Sequence, residues 1–181
     1  MTWTIVVLVV LALVLWSFYV SWRASRLDRL HNRVEAARTS LDLALVRRAA
    51  AASELASSGQ LDPAASLLLA DAVRRARGAP AAERDLPESD LTRALRAIIG
   101  DPEARKELAA DDGTAELVAE VEDAAQRVFI ARKFYNDLAG RTVEARRRPL
   151  VKVLRLYGGA PEPAFFDIDD AIDEGIDEGV G

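Results

Sequence analysis

The chain has 181 residues, 50% of them apolar and 29% charged, with a net charge of −5. That leaves room for one globular domain, and its wealth of Ala, Leu, Arg and Glu favours helices. It has no cysteine and one histidine, His31, which excludes disulfides and thiolate chemistry and leaves little scope for His-based metal or catalytic sets.

The first 58 residues contain neither Gly nor Pro, and the stretch from Trp3 to Trp22 carries no charge. Twenty residues at a helical rise of ~1.5 Å span roughly 30 Å, the thickness of a bilayer's hydrocarbon core. The expected reading is a single-pass anchor over 1–22. Trp3 would sit at one interface and Trp16, Tyr19 and Trp22 at the other. Arg23, Arg26, Arg29 and Arg33 follow, so the positive-inside bias places the N-terminus outside and everything after Trp22 in the cytoplasm. A cleaved signal peptide is the alternative. It would carry positive charge before the apolar core and small residues after it, and only Met1-Thr2 precedes this one.

From the arginines the pattern becomes amphipathic. Leu27, Leu30, Val34, Ala37, Leu41 and Ala44 recur by threes and fours, and Ala51 and Leu55 resume the series. That is a bundle or coiled-coil seam, interrupted at Arg48, which needs a polar partner. Ser57-Ser58-Gly59 closes this helix, and Asp62-Pro63 opens a second that runs to about Arg77. Gly78 to Pro87 reads as a looser stretch. Leu91, Leu95, Ile98 and Ile99 mark a short helix, Gly100-Asp101-Pro102 breaks it, and a second piece runs to about Ala110.

The last long helix follows the Asp111–Thr114 turn. Leu117, Val121, Ala124, Val128, Ala131, Tyr135, Leu138, Thr142 and Ala145 alternate by fours and threes. Its start is acidic and its end basic, which complements the helix macrodipole. Gly140 is expected to mark a close helix contact. Pro149 to Tyr157 reads as a short amphipathic element.

Residues 167–181 hold seven acids and no base, leaving a body with 24 bases and 22 acids. An Ile-Asp repeat begins at Ile168, Ile172 and Ile176. Its like charges and glycines lead to the expectation of a disordered acidic tail over 161–181.

Two stretches resemble the LemA family of bacterial membrane-anchored helical proteins. One is Leu30-His-Asn-Arg-Val34 with Ala37, Leu41-Asp42, Leu45 and Arg47-Arg48. The other is Ala131-Arg-Lys-Phe-Tyr-Asn-Asp137, followed in the family's order by Pro149, Gly158 and Phe165-Phe166. The chain departs from the pattern at Ala49–Glu54, where such proteins usually read His-Asp-Leu-Ile-Pro-Asn. The resemblance implies an antiparallel four-helix bundle with two long helices behind one anchor, over 23–160. It carries over a polar set, Asp42, Arg47, Arg48, Arg132, Tyr135 and Asn136, read here as structural pairs that fix helix register. The family's molecular activity is itself not established.

No nucleophile elbow, HExxH, P-loop or EF-hand spacing occurs, so the chain reads as no enzyme, with no cofactor, no metal site and no small-molecule substrate. Dispersed bases without an aromatic platform argue against nucleic acid. Two functions remain: a membrane-anchored scaffold for a protein partner, or a non-catalytic accessory subunit of a membrane enzyme such as a protease. If the long helices are level and antiparallel, residue n faces about 171 − n. Arg48 would then meet Asp123 or Glu120, and Asp42 would meet Arg132. The same topology gathers a basic cluster of Arg23, Arg26, Arg29, Arg146, Arg147, Arg148, Lys152 and Arg155 at the lipid surface, with the bilayer itself as partner.

Overall fold

In the computed structural model, residues 2–147, 151 and 161–170 are described, apart from the side chains of 2, 20 and 23–28. The described residues form helices and irregular segments, with no strand among them; the fold is all-α. Five helices follow in order: α1 (Thr2–Ser57), α2 (Pro63–Gly78), α3 (Asp85–Ile99), α4 (Pro102–Leu108) and α5 (Asp112–Arg147).

The helix ends follow local chemistry. The Ser57 and Ser58 hydroxyls donate to the carbonyls of Ser53 and Leu55, and Gly59 takes φ +76°, a left-handed conformation that suits a residue without Cβ. Asp62 Oδ1 accepts the N–H groups of Ala64 and Ala65 at 2.9 and 3.1 Å, with Pro63 in the first turn, where no donor is missed. Asp101-Pro102 repeats the device for α4. At α5, Asp111 Oδ2 accepts both the N–H and the hydroxyl of Thr114.

One expected boundary moves. The stretch up to Pro87 read as loose, yet α3 begins at Asp85, two residues before that proline. The first turn of a helix makes no use of its N–H groups, so a proline there breaks nothing.

The chain divides into two compact units, to both of which α1 and α5 contribute. Unit 2 comprises Arg38–Tyr135 and Phe166–Gly181. Its apolar cluster takes Ala49, Ala52 and Leu55 from α1, Leu69 and Val73 from α2, Leu91, Leu95 and Ile99 from α3, and Val118, Val121 and Ala124 from α5. Within it the expected α1 seam is buried at Leu41, Ala44, Arg48, Ala51 and Leu55. On α2, Leu69, Ala72, Val73 and Ala76 turn inward, but Leu67 and Leu68 are 73% and 51% exposed. The triple-Leu run is wider than the buried stripe of a surface helix.

Unit 1 comprises Met1–Ala37 and Asn136–Phe165. Val34, Ala37, Leu138, Ala139, Thr142 and Val151 are buried in it. A Cβ at Gly140 would lie 3.7 Å from the Phe165 ring, an ordinary contact. A methyl group would therefore fit, and the expected close helix contact is not what places a glycine here.

In the same unit, the large apolar side chains from Ile5 to Phe18 are all 50–74% exposed. Among the described residues no helix is long and apolar enough to cross a membrane.

Candidate functional site

The seam arginine finds its polar partner on α3. Arg48 is 0% exposed; its Nη2 lies 2.8 Å from Glu88 Oε2 and 3.1 Å from the Glu88 carbonyl, and its Nη1 donates to Thr92 Oγ1 at 2.8 Å. Thr92 donates back to the Glu88 carbonyl at 3.1 Å, and both residues are buried. Arg48 Nε is also buried and makes no hydrogen bond. The expected neutralisation by Asp123 or Glu120 does not occur. Asp123 pairs along its own helix with Arg127 at 2.8 Å, and it is exposed. An exposed carboxylate on α5 could not repay the desolvation of Arg48, whereas Glu88 is itself out of water.

Asp42 likewise engages α3, not Arg132. Its Oδ1 accepts from Arg84 Nη1 at 3.0 Å and lies 3.9 Å from Arg38 Nε. Arg38 in turn lies over the buried Tyr135 ring, 5.6 Å from its centroid. The pairs 42–84 and 48–88 rise together, so α1 and α3 run parallel here. The Arg38–Tyr135 contact and the cluster joining 49–55 to 118–124 run oppositely, so α1 and α5 are antiparallel within unit 2. The ionic partners of Arg48 and Asp42, however, come from α3 and from Arg84 just before it.

Arg132 has an unforeseen partner. Its Nε and Nη2 grip both carboxylate oxygens of Asp170, the second at 2.9 Å. Residues 161–170 therefore depart from the expected disordered tail. Without forming helix or strand, they alternate: Phe166, Ile168 and Asp170 are 3%, 5% and 7% exposed, while Phe165, Asp167 and Asp169 face out. The N–H of Asp167 donates to Asp85 Oδ2 at 3.4 Å and that of Asp169 to Ser89 Oγ at 3.1 Å. Arg96 holds Asp169 through Nη2 at 2.7 Å and Nη1 at 3.2 Å. Residues 171–181, with the rest of the Ile-Asp repeat, lie outside the described residues.

The polar set carried over from the resemblance is thus distributed, not convergent. Arg48 belongs to the buried triad, Asp42 and Tyr135 to the Arg38 contacts, and Arg132 to the docked segment. Arg47 is exposed and Asn136 half-buried. Of the basic cluster, Arg29 and Arg147 are exposed and Arg146 half-buried. Arg148, Lys152, Arg155 and the side chains of Arg23 and Arg26 lie outside the described residues. Trp16 and Tyr19 stack at 6.3 Å between centroids, while Trp3 and Trp22 are exposed.

Sequence reasoning missed Glu88 and the docked segment. Extending the α3 apolar series by one step toward the N-terminus lands on Glu88, a signal that Pro87 obscured. For the segment, a two-residue alternation from Phe166 lay beneath the more visible four-residue repeat. Between α2 and α3 lies an open cleft of about 310 Å³ lined by Leu68, Ala72, Arg75, Asp90, Arg93 and Ala94. Its arginines also serve local pairs, Arg75 to Asp71 at i,i+4 and Arg93 to Asp90 at i,i+3. Among the described residues no group of three His, Asp or Glu side chains could hold a metal ion. Comparison with protein-family models, with curated proteins and with solved structures found no match to this chain.

Proposed function

We propose that the chain is a single-pass membrane-anchored, non-catalytic interaction module resembling the LemA proteins. In this reading residues 1–22 cross the bilayer and an antiparallel four-helix bundle, α1, α2, α3 and α5, stands on the cytoplasmic face and engages a protein partner. The observation that carries it is the exposure, all round the helix, of every large apolar side chain from Ile5 to Phe18. A helix apolar on every side needs an apolar surrounding, and among the described residues no protein surface supplies one. The uncharged sequence continues past Tyr19 to Trp22, which brings the run to the length of a span, and Arg23 and its neighbours follow. The parallel α1–α3 and antiparallel α1–α5 pairings of unit 2 support the bundle topology. An accessory role beside a membrane enzyme such as a protease is the second form of the same reading, with the chemistry supplied by the partner.

The test is fractionation and topology of a chain with a C-terminal epitope. It should remain in the membrane pellet after alkaline carbonate extraction, and protease added outside intact protoplasts should spare the epitope. Release by carbonate would end the anchor reading; digestion of the epitope would reverse the orientation.

A further inference from the structure

The hold of the body on residues 166–170 has the features of a receptor gripping a peptide. The segment has no helix or strand of its own, so side chains fix its path. Two backbone N–H groups, two residues apart, are read by Asp85 and Ser89, which lie four apart on α3. Two alternate side chains, Phe166 and Ile168, are buried. Two arginines from different helices, Arg96 on α3 and Arg132 on α5, each grip one carboxylate with two nitrogens. Such forked pairs read both charge and geometry. Alternate pockets with charge reading at one end are the means by which extended peptides are recognised.

We propose that this face of α3 and α5 is a recognition groove for an extended acidic peptide of the form aromatic-x-aliphatic-Asp-Asp, and that Phe166–Asp170 is its resident, tethered ligand. The partner class is a protein segment carrying that pattern, and its access depends on displacing the resident. Charge complementarity sets the polarity: the aromatic end lies toward Asp85, the paired acids toward Arg96 and Arg132. The later repeats, Ile172-Asp-Glu and Ile176-Asp-Glu, lack an aromatic two residues before the isoleucine and so fit the groove poorly. The proposal deepens the interaction-module reading by naming what the module binds. It fails separately, because peptide binding in detergent says nothing of membrane insertion.

The probe is a fluorescent peptide with the sequence from Pro163 to Ala171, titrated against the full chain in detergent. The Ile168→Ser/Asp170→Asn chain, whose resident segment is disabled, should bind it saturably. The unmodified chain should bind at least about tenfold more weakly, since a tethered segment competes at an effective concentration of order millimolar. Arg96→Asp should abolish binding, and a peptide with Arg in place of Asp169 should restore it. A scrambled peptide of the same composition should not bind. Absence of saturable binding to the disabled chain, with its helical circular dichroism intact, overturns the proposal. So does equal binding of the scrambled peptide. If the disabled chain loses its helical signal, Asp169→Arg, at a half-exposed position, takes its place, with saturable binding of the unmodified peptide and none of the scrambled one as the expected outcome.

Discussion

At the scale of single residues, burial separates ionic pairs that resemble one another in sequence. Arg48 and Glu88 are both removed from water, so deleting either partner strands a charge in the core. Arg48→Ala or Glu88→Ala should each cost ~3–5 kcal/mol in thermal or denaturant unfolding. A paired Arg48→Met/Glu88→Leu replacement should recover most of that loss, because apolar side chains of similar volume avoid the desolvation. If the single variants melt with the parent, the triad is not buried. Arg127 with Asp123 and Arg141 with Asp137 are exposed i,i+4 pairs, and removing either member should change stability by less than about 1 kcal/mol.

Asp111 differs again. The Thr114 hydroxyl and then the Thr114 N–H hold its carboxyl below the ordinary carboxylate range, with a lesser contribution from the Gly113 N–H, while desolvation, smaller than either Thr114 contribution, opposes them. A depressed folded-state pKa means that the unfolded chain binds the proton first. Its contribution to the start of α5 is therefore complete above about pH 4 and fades as acid protonates it. Asp71 is lowered in the same direction by hydrogen bonding to Arg74, on an exposed helix face. The expected outcome is that Asp111→Ala flattens the pH dependence of stability below about pH 4 and that Asp111→Asn, which can still accept, weakens the helix start less at neutral pH. Unchanged acid sensitivity in Asp111→Ala would remove this cap as its source.

At the scale of elements, periodicity located the helices and their buried stripes, but not which helix meets which. The seam from Leu41 to Leu55 was legible because an apolar series at threes and fours has one burial solution. Partner choice was not, since a seam records that a face is covered without recording by whom. Arg48 shows the gap: its need for a counter-charge could be read, yet the level-and-antiparallel argument considered only α5 while α3 lay between. The leucines of α2 mark a second limit, because composition cannot rank three neighbours that all favour burial. Leu69→Ala should cost ~2–5 kcal/mol, whereas Leu67→Ala should stay within about 0.5 kcal/mol. Equal losses at both positions, by chemical denaturation, would contradict the assigned face of α2. The docked segment at 166–170 was illegible for a different reason. Its hold comes from the side chains of Asp85, Ser89, Arg96 and Arg132, all distant in sequence.

At the scale of the whole molecule, the proposed membrane attachment turns on the charges that unit 1 carries. Arg29 comes from α1 and Arg141, Arg146 and Arg147 from α5, and all four belong to this unit. Arg141 already pairs with Asp137 at 3.0 Å, which reduces what it can offer a head group. Val151, in the short amphipathic element read over Pro149 to Tyr157, is 2% exposed and therefore packs against protein. If this end meets lipid as proposed, the contact is electrostatic, without insertion of that side chain. Each base near an anionic leaflet contributes ~1 kcal/mol, and salt screens the attraction over a Debye length of about 10 Å at 0.1 M. A chain lacking residues 1–22 should bind vesicles containing anionic lipid, release them at high salt, and show no blue shift of tryptophan-substituted Val151. Charge reversal at Arg146 and Arg147 should weaken binding by at least about tenfold, the loss of two such contributions. Equal indifference to neutral and anionic vesicles would leave residues 1–22 as the sole proposed attachment. The arginines of α5 would then be a solvated helix end placed to suit the macrodipole.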